Sequence, residues 1–133
     1  MRAKKILIVD DDEYLLLGLA AKLKAKGYAV VTAMDGLAAV AAARREVPDL
    51  IILDLGLPAG DGFVVLERLR AMADLLTTPV IVLSAWDPVN NKLRSLKAGA
   101  FAFFQKPPDN HEFLTAIRHA LGEGVAQEQF LKS

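Results

Sequence analysis

Three short runs of the chain are apolar at every position, and they constrain the fold more than any other feature. The runs are residues 6–9, 50–53 and 80–83, rich in β-branched side chains and bounded by polar or turn residues. A strand with one face in water would alternate apolar and polar residues. Unbroken runs therefore indicate strands buried on both faces of a parallel sheet.

Segments with helical spacing of leucine and alanine separate these runs, which predicts helices over residues 14–26, 37–46, 63–73, 89–97 and 112–121. Weaker apolar runs at residues 29–33 and 101–104 predict a second and a fifth strand, less apolar as edge strands often are. Alternating strands and helices imply right-handed crossovers and helices on both faces of the sheet. We therefore predict a doubly wound α/β fold, (βα) repeated five times.

One domain accounts for almost the whole chain of 133 residues. We assign residues 1–122 to it and residues 123–133 to a C-terminal tail, which is either a helix extension, a frayed end or a linker stub. Sixteen basic and sixteen acidic residues cancel, so no net field draws the chain to nucleic acid or to an anionic membrane. We expect a cytoplasmic location, because no apolar stretch approaches a membrane span and the start does not resemble a signal peptide.

The polar residues that follow the predicted strands carry the chemistry. An acidic triplet at residues 10–12 follows strand one, Asp54 follows strand three, Ser84 follows strand four and Lys106 follows strand five. Ligands of an open parallel sheet bind at the carboxyl ends of its strands, so these residues should meet at one rim.

A cluster of carboxylates at that rim needs a cation. With no cysteine in the chain, the metal ligands must be oxygen atoms or the two histidines. Magnesium accepts one or two carboxylates together with phosphate oxygens, and the Lys106 ammonium and Ser84 hydroxyl remain to bind phosphoryl oxygens. The residues thus indicate phosphoryl transfer with Mg²⁺.

Five fragments read in order are specific: ILIVDDDEYLL, PDLIILDLGLPAGDG, VIVLSA, LKAGA and FFQKP. Together they resemble a response regulator receiver domain, over about residues 4 to 121. The resemblance implies a CheY-like, flavodoxin-like sheet with strand order 2-1-3-4-5. It also implies Asp54 as the phosphoacceptor, Asp11 and the backbone carbonyl of Gly56 as further Mg²⁺ ligands, and Asp10 as a ligand through water.

The resemblance further implies how the phosphoryl group is held and read. Ser84 and Lys106 would bind its oxygens, Ser84 and Phe103 would form the switch, and Gly56 and Trp86 would tune its lifetime. The donor would be a histidine kinase or a histidine phosphotransfer protein. The domain would catalyse only its own phosphorylation and dephosphorylation, would not bind nucleic acid directly, and could form a homodimer through its helix 4, strand 5 and helix 5 face.

Simpler interpretations compete for several of these residues. Asp12 is better explained as an N-terminal helix residue than as a ligand. Phe103 could be ordinary core packing, and Trp86 could point to solvent or to a partner. His111 and His119 are interpreted as solvated residues of a surface helix.

Three other functions compete with phosphoryl transfer at a receiver domain. A flavodoxin-like mononucleotide carrier needs a hydroxyl- and glycine-rich phosphate loop after strand one, where this chain has three aspartates. An aspartate-nucleophile phosphohydrolase places its nucleophile on the strand that carries its Asp-x-Asp pair, whereas Asp54 follows strand three. A degenerate receiver that only binds proteins is disfavoured by the intact acids, Ser84 and Lys106.

Overall fold

The three apolar runs form the centre of a five-stranded parallel sheet in the computed structural model, which describes residues 2–58 and 62–123. The strand order is β2-β1-β3-β4-β5, as the resemblance implied. The strands are β1 Lys5–Val9, β2 Ala29–Ala33, β3 Leu50–Leu53, β4 Val80–Ser84 and β5 Ala102–Gln105. Every residue of β3 and β4 is buried, whereas β2 and β5 are partly exposed edge strands, which confirms the prediction.

Helices cover both faces of this sheet: α1 Glu13–Ala25, α2 Gly36–Glu46, α3 Gly62–Ala71, α4 Pro88–Lys97 and α5 Asn110–Ala120. The apolar side chains form two buried clusters. One includes residues of α2 and α3, and the other includes residues of α1 and α5. Alternate residues of each central strand enter opposite clusters, which explains why these strands are apolar without alternation.

Aspartates cap the N-termini of α1, α2, α4 and α5. The side chains of Asp12, Asp35, Asp87 and Asp109 each accept at least one backbone N–H from the first turn. Such caps satisfy amide donors that have no partner inside the helix. The interpretation of Asp12 as an N-terminal helix residue agrees with these contacts.

The helix ends differ from the predicted ones by one or two residues. The largest differences are at the end of α3, which stops at Ala71 rather than residue 73, and at the start of α5. Met72 has an extended backbone, and Ala73–Leu75 forms a separate 3-10 turn that buries Leu75.

The start of the predicted tail is bonded to the domain. Glu123 donates its backbone N–H to the Arg118 carbonyl at 2.8 Å, and its side chain accepts the Tyr28 hydroxyl at 2.9 Å. The rest of the tail, residues 124–133, lies outside the described residues. Among the residues that the structure describes, no helix is long and apolar enough to cross a membrane.

Candidate functional site

Backbone hydrogen bonds that continue the sheet carry the predicted residues to one rim. Asp10 donates its N–H to Ala33 at 3.1 Å, Asp54 to Val9 at 2.9 Å, and Lys106 to the Ser84 carbonyl at 2.8 Å. Residues distant in sequence thus become neighbours because each follows an adjacent strand, as the sequence predicts.

Three carboxylates converge at this rim. One oxygen each of Asp10, Asp11 and Asp54 lie within 4.8 Å of one another. Asp10 is 2% exposed and Asp54 is 6% exposed, whereas Asp11 faces solvent. At such separations near a protein surface, two unit charges repel by roughly 3–4 kcal/mol, so the cluster needs positive charge.

Lys106 supplies one of those charges. Its Nζ lies 2.7 Å from Asp10 Oδ2 and 3.4 Å from Asp54 Oδ2. Burial opposes the ammonium charge, but the hydrogen bond to Asp10 and the attraction of Asp54 outweigh it, so the pKa of Lys106 is raised. Burial also raises the pKa of Asp10, against the lowering effect of its bond to Lys106.

The remaining carboxylate oxygens are held by backbone amides. Asp10 Oδ1 accepts the Asp12 N–H at 2.9 Å, and Asp54 Oδ1 accepts the Gly56 N–H at 3.1 Å. These bonds orient both side chains without neutralising them. When all four groups are ionised, three carboxylates and one ammonium leave the site with a net charge of −2.

That donor set fits a magnesium ion. All the groups offered are hard oxygen atoms, and the exposed Asp11 leaves the cluster open to water and to a phosphorylated ligand. Magnesium keeps several of its waters and binds few protein carboxylates, so an open cluster of this kind suits it. The net charge of −2 matches a divalent cation.

Ser84 lies at the end of β4, fully buried, beside this cluster in the sheet order. Its Oγ accepts the Trp86 N–H at 3.2 Å. Because Oγ acts as an acceptor in that bond, its own hydroxyl hydrogen remains available to donate to a phosphoryl oxygen.

The aromatic residues of β5 face opposite sides. Phe103 pairs with Val82, is 8% exposed and belongs to the core cluster of α2 and α3. Phe104 packs edge-on against Phe113 with ring centroids 5.3 Å apart, on the other face. A switch at Phe103 would therefore begin from a buried ring.

Trp86 leans across Gly56 rather than away from the rim. A Cβ placed on Gly56 would lie 3.3 Å from the indole Nε1 and 3.8 Å from Asp54 Oδ1. The indole also packs on Phe63, and the guanidinium of Arg94 lies over the Phe63 ring. Phe63 and Arg94 were not among the predicted site residues, because loop conformation brings them close and neither stands at a strand end.

The two histidines lie on α5. His111 is exposed and His119 is partly buried. The acidic cluster contains neither residue. The exposure of His111 agrees with its interpretation as a solvated residue, whereas His119 is less exposed than that interpretation implies.

Comparison with known proteins decides the family. The profile of the response regulator receiver domain matches residues 6–118. The chain belongs to the response regulator receiver domain family. It is 42% identical over 121 residues to the transcriptional regulatory protein KdpE of Mycobacterium tuberculosis, an alignment that covers 91% of this chain and 52% of KdpE. The chain thus spans about half the length of this relative.

Solved structures show the same fold. A putative response regulator from Chloroflexus aurantiacus is 30% identical with a TM-score of 0.85, covering 92% of this chain and all of that one. The receiver domain of a sensor histidine kinase from Pseudomonas aeruginosa is 28% identical with a TM-score of 0.82, covering 92% and 100%. That structure holds a magnesium ion coordinated in its active-site cleft. This receiver domain is accordingly a signalling domain of two-component systems, and such domains interact with histidine kinases or phosphotransfer proteins.

Proposed function

We propose that this receiver domain accepts a phosphoryl group on Asp54 from a phosphohistidine of a kinase or phosphotransfer protein, in the presence of Mg²⁺. The observation that carries the proposal is the position of the Asp54 carboxylate. Its Oδ2 lies 3.4 Å from the Lys106 Nζ, and one of its oxygens lies within 4.8 Å of an oxygen of Asp10 and of Asp11, at the rim where the fold binds ligands.

Asp11, Asp54 and the Gly56 carbonyl would hold the metal directly, and Asp10 would hold it through water. When bound, Mg²⁺ neutralises the carboxylates and spreads the charge of the phosphoryl oxygens. Asp10 is the more deeply buried acid and is already bonded to Lys106, which supports an indirect role for it.

The transfer is an in-line displacement at phosphorus. An Asp54 oxygen forms the new O–P bond while the N–P bond of the phosphohistidine breaks and its electron pair returns to the imidazole. Lys106 turns its ammonium from Asp10 toward a phosphoryl oxygen, and Ser84 donates its hydroxyl to another. Later, water attacks the phosphorus, inorganic phosphate leaves and the Asp54 carboxylate is restored.

The new charge drives the output. Phosphorylation adds about −1.5 to −2 at the rim. Driving a switch from 1:99 to 99:1 requires about 5.5 kcal/mol, and charge-assisted hydrogen bonds to Ser84 and Lys106 at ~1.5–3 kcal/mol each are large enough to contribute most of it. Movement of Ser84 would let Phe103 repack, which changes the face formed by α4, β5 and α5.

That face is the proposed output surface, and the domain would also form homodimers through it. We further propose that the domain acts in the cytoplasm and does not bind nucleic acid itself. Catalysis is confined to its own phosphorylation and dephosphorylation.

The lifetime of the phosphoryl group would depend on Gly56 and Trp86. Glycine has no side chain to orient the attacking water, and the indole lies against the same position. Trp86 would therefore shield the phosphoryl group and prolong the activated state.

Acetyl phosphate with Mg²⁺ tests the central claim, because a small donor uses the same acceptor as a kinase. The intact mass should rise by one phosphoryl group in the wild type and stay unchanged in Asp54→Asn. Asp12→Asn is the matched control, since asparagine caps a helix as well as aspartate does. Labelling that persists undiminished in Asp54→Asn, or is lost equally in Asp12→Asn, contradicts the assignment.

A further inference from the structure

Three side chains from different elements form a continuous contact beside the acceptor site. Trp86 lies in the loop after β4, Phe63 is the second residue of α3, and Arg94 lies in the last turn of α4. The Trp86 and Phe63 ring centroids are 6.2 Å apart at an interplanar angle of 45°. The Arg94 guanidinium carbon lies 3.7 Å from the Phe63 ring centroid.

Phe63 connects the other two side chains. Its ring is 1% exposed and belongs to the core cluster, and the Arg94 guanidinium lies over one of its faces, so Arg94 contributes to the packing of the ring. Trp86 is 39% exposed. Its indole contacts Phe63 on one side, and on another side it occupies space that a side chain at position 56 would restrict. The orientation of the indole therefore depends on how the Phe63 ring is packed.

Arg94 is the member that reaches the surface. Its guanidinium covers the Phe63 ring at a distance well within cation–π range. A planar guanidinium also stacks on an aromatic ring in a way that an amide of similar reach does not. Removing the guanidinium uncovers the ring on which the indole rests.

We propose that Arg94 is a positioning residue for the phosphorylation site: through Phe63 it holds the Trp86 indole beside Gly56, and so slows hydrolysis of the phosphoryl group on Asp54. The inference rests on the proposed function and deepens it. It assigns control of the phosphoryl lifetime to a residue on α4, outside the rim itself.

Because Arg94 lies on α4, the lifetime of the phosphoryl group would depend on the position of this helix. The helix belongs to the proposed output face, so a rearrangement of α4 that lifts Arg94 from the ring would loosen the indole and shorten the activated state.

The packing claim can be tested without phosphorylation, because Trp86 is the only tryptophan of the chain. Arg94→Gln should increase acrylamide quenching of its fluorescence. Lys97→Gln, which removes the same charge from the same helix, should leave the quenching at the wild-type value. Equal quenching in the two variants overturns the proposal, whether or not the domain can be phosphorylated.

The functional claim needs the decay rate of the phosphoryl group in a double-mutant cycle. After labelling with acetyl phosphate and removal of the donor, Arg94→Gln should accelerate decay by about two- to fivefold, the range of one exposed cation–π contact. Trp86→Ala should accelerate decay at least as much, and adding Arg94→Gln to it should have no further effect.

Each outcome has one meaning. An Arg94→Gln effect that persists in the Trp86→Ala background, or that Lys97→Gln reproduces, overturns the positioning role, because the change would then act independently of the indole. A decay rate unchanged by Trp86→Ala overturns the shield. Failure of the wild type to be labelled overturns the proposed function, and the lifetime claim with it, while the quenching measurement still decides the packing.

Discussion

Lys106 is bonded to two of the three acidic side chains at the rim, so its removal should lower the stability of the metal-free domain. In Lys106→Met, the buried Asp10 carboxylate loses its 2.7 Å partner. An unsatisfied buried acceptor costs about 1–3 kcal/mol, so we expect the free energy of unfolding at pH 7 to fall by that amount. Urea denaturation in the presence of a chelator measures it, with Lys97→Met as the control.

The same variant has a predictable pH dependence. Burial raises the pKa of Asp10, so the folded state binds this proton more tightly than the unfolded state, and stability attributable to Asp10 rises as the pH falls through the raised value. A protonated Asp10 needs no cation. The deficit of Lys106→Met relative to wild type should therefore shrink on acidification from pH 7. A deficit that is constant with pH would show that lost charge pairing is not its cause.

Asp11 is the proposed magnesium ligand whose loss the fold should tolerate best. It is exposed, and it adds repulsion to the cluster. Asp11→Ala should weaken Mg²⁺ binding by at least about tenfold, since loss of a mere outer-shell partner already costs that much. The apo protein should melt no earlier than wild type, because like charge is removed. Magnesium titration and thermal melting test both halves, and an unchanged Mg²⁺ affinity would remove Asp11 from the ligand set.

The rim residues were predictable because their placement depends on strand ends, which the apolar runs mark. The contacts that complete the site were not. Whether Lys106 would bond more closely to Asp10 or to Asp54, and whether Trp86 would face Gly56 or solvent, is decided by side-chain rotamers and by the loop after β4. The rotamers and the loop conformation depend on packing between elements, which hydrophobic periodicity in the sequence does not predict.

Replacing either of two helical glycines by alanine should change the stability of the domain, but in opposite directions. Gly62 begins α3 against the loop that follows Asp54, and a Cβ there would lie 2.3 Å from Leu55 Cα and 2.5 Å from its carbonyl oxygen. Gly62→Ala must push α3 away from that loop, so we expect a loss of about 1–3 kcal/mol in unfolding free energy and weaker Mg²⁺ binding.

Gly18 is the matched control for that substitution. It is exposed within α1, and an added Cβ would meet no atom within 4 Å. Gly18→Ala should stabilise the domain by about 0.5–1 kcal/mol, because alanine restricts the unfolded chain and favours the helix. Equal effects of the two substitutions would contradict the close approach of α3 and Leu55.

Helix type and order followed from periodicity, but the ends of helices did not. Val47 closes α2 with a positive φ of 42°, a conformation that a β-branched residue rarely adopts and that its sequence does not signal. Leu75 draws the chain after α3 into a 3-10 turn because its side chain is buried. At Leu75, tertiary packing overrides local preference.

At the scale of the whole molecule, the exposed surface of α4 carries a stripe of apolar side chains on one face of the helix. Val89, Leu93 and Leu96 recur at helical spacing and are 89%, 61% and 38% exposed. Phe101, 49% exposed, borders the same cleft as Leu96 between α4 and β5. An apolar stripe left in water on the proposed output face is typical of an interaction surface.

Homodimerisation through this face should depend on activation. With beryllofluoride and Mg²⁺ in place of the phosphoryl group, sedimentation velocity should show the wild type shifting from monomer toward dimer. Leu93→Asp should remain monomeric under the same conditions, because a charge buried in an apolar contact is costly. Leu17→Asp is the control, since Leu17 is 64% exposed on α1, a helix outside the proposed face. Both variants should still be labelled by acetyl phosphate. A wild type that stays monomeric when activated, or a dimer that Leu17→Asp disrupts and Leu93→Asp does not, would contradict homodimerisation through the α4 stripe.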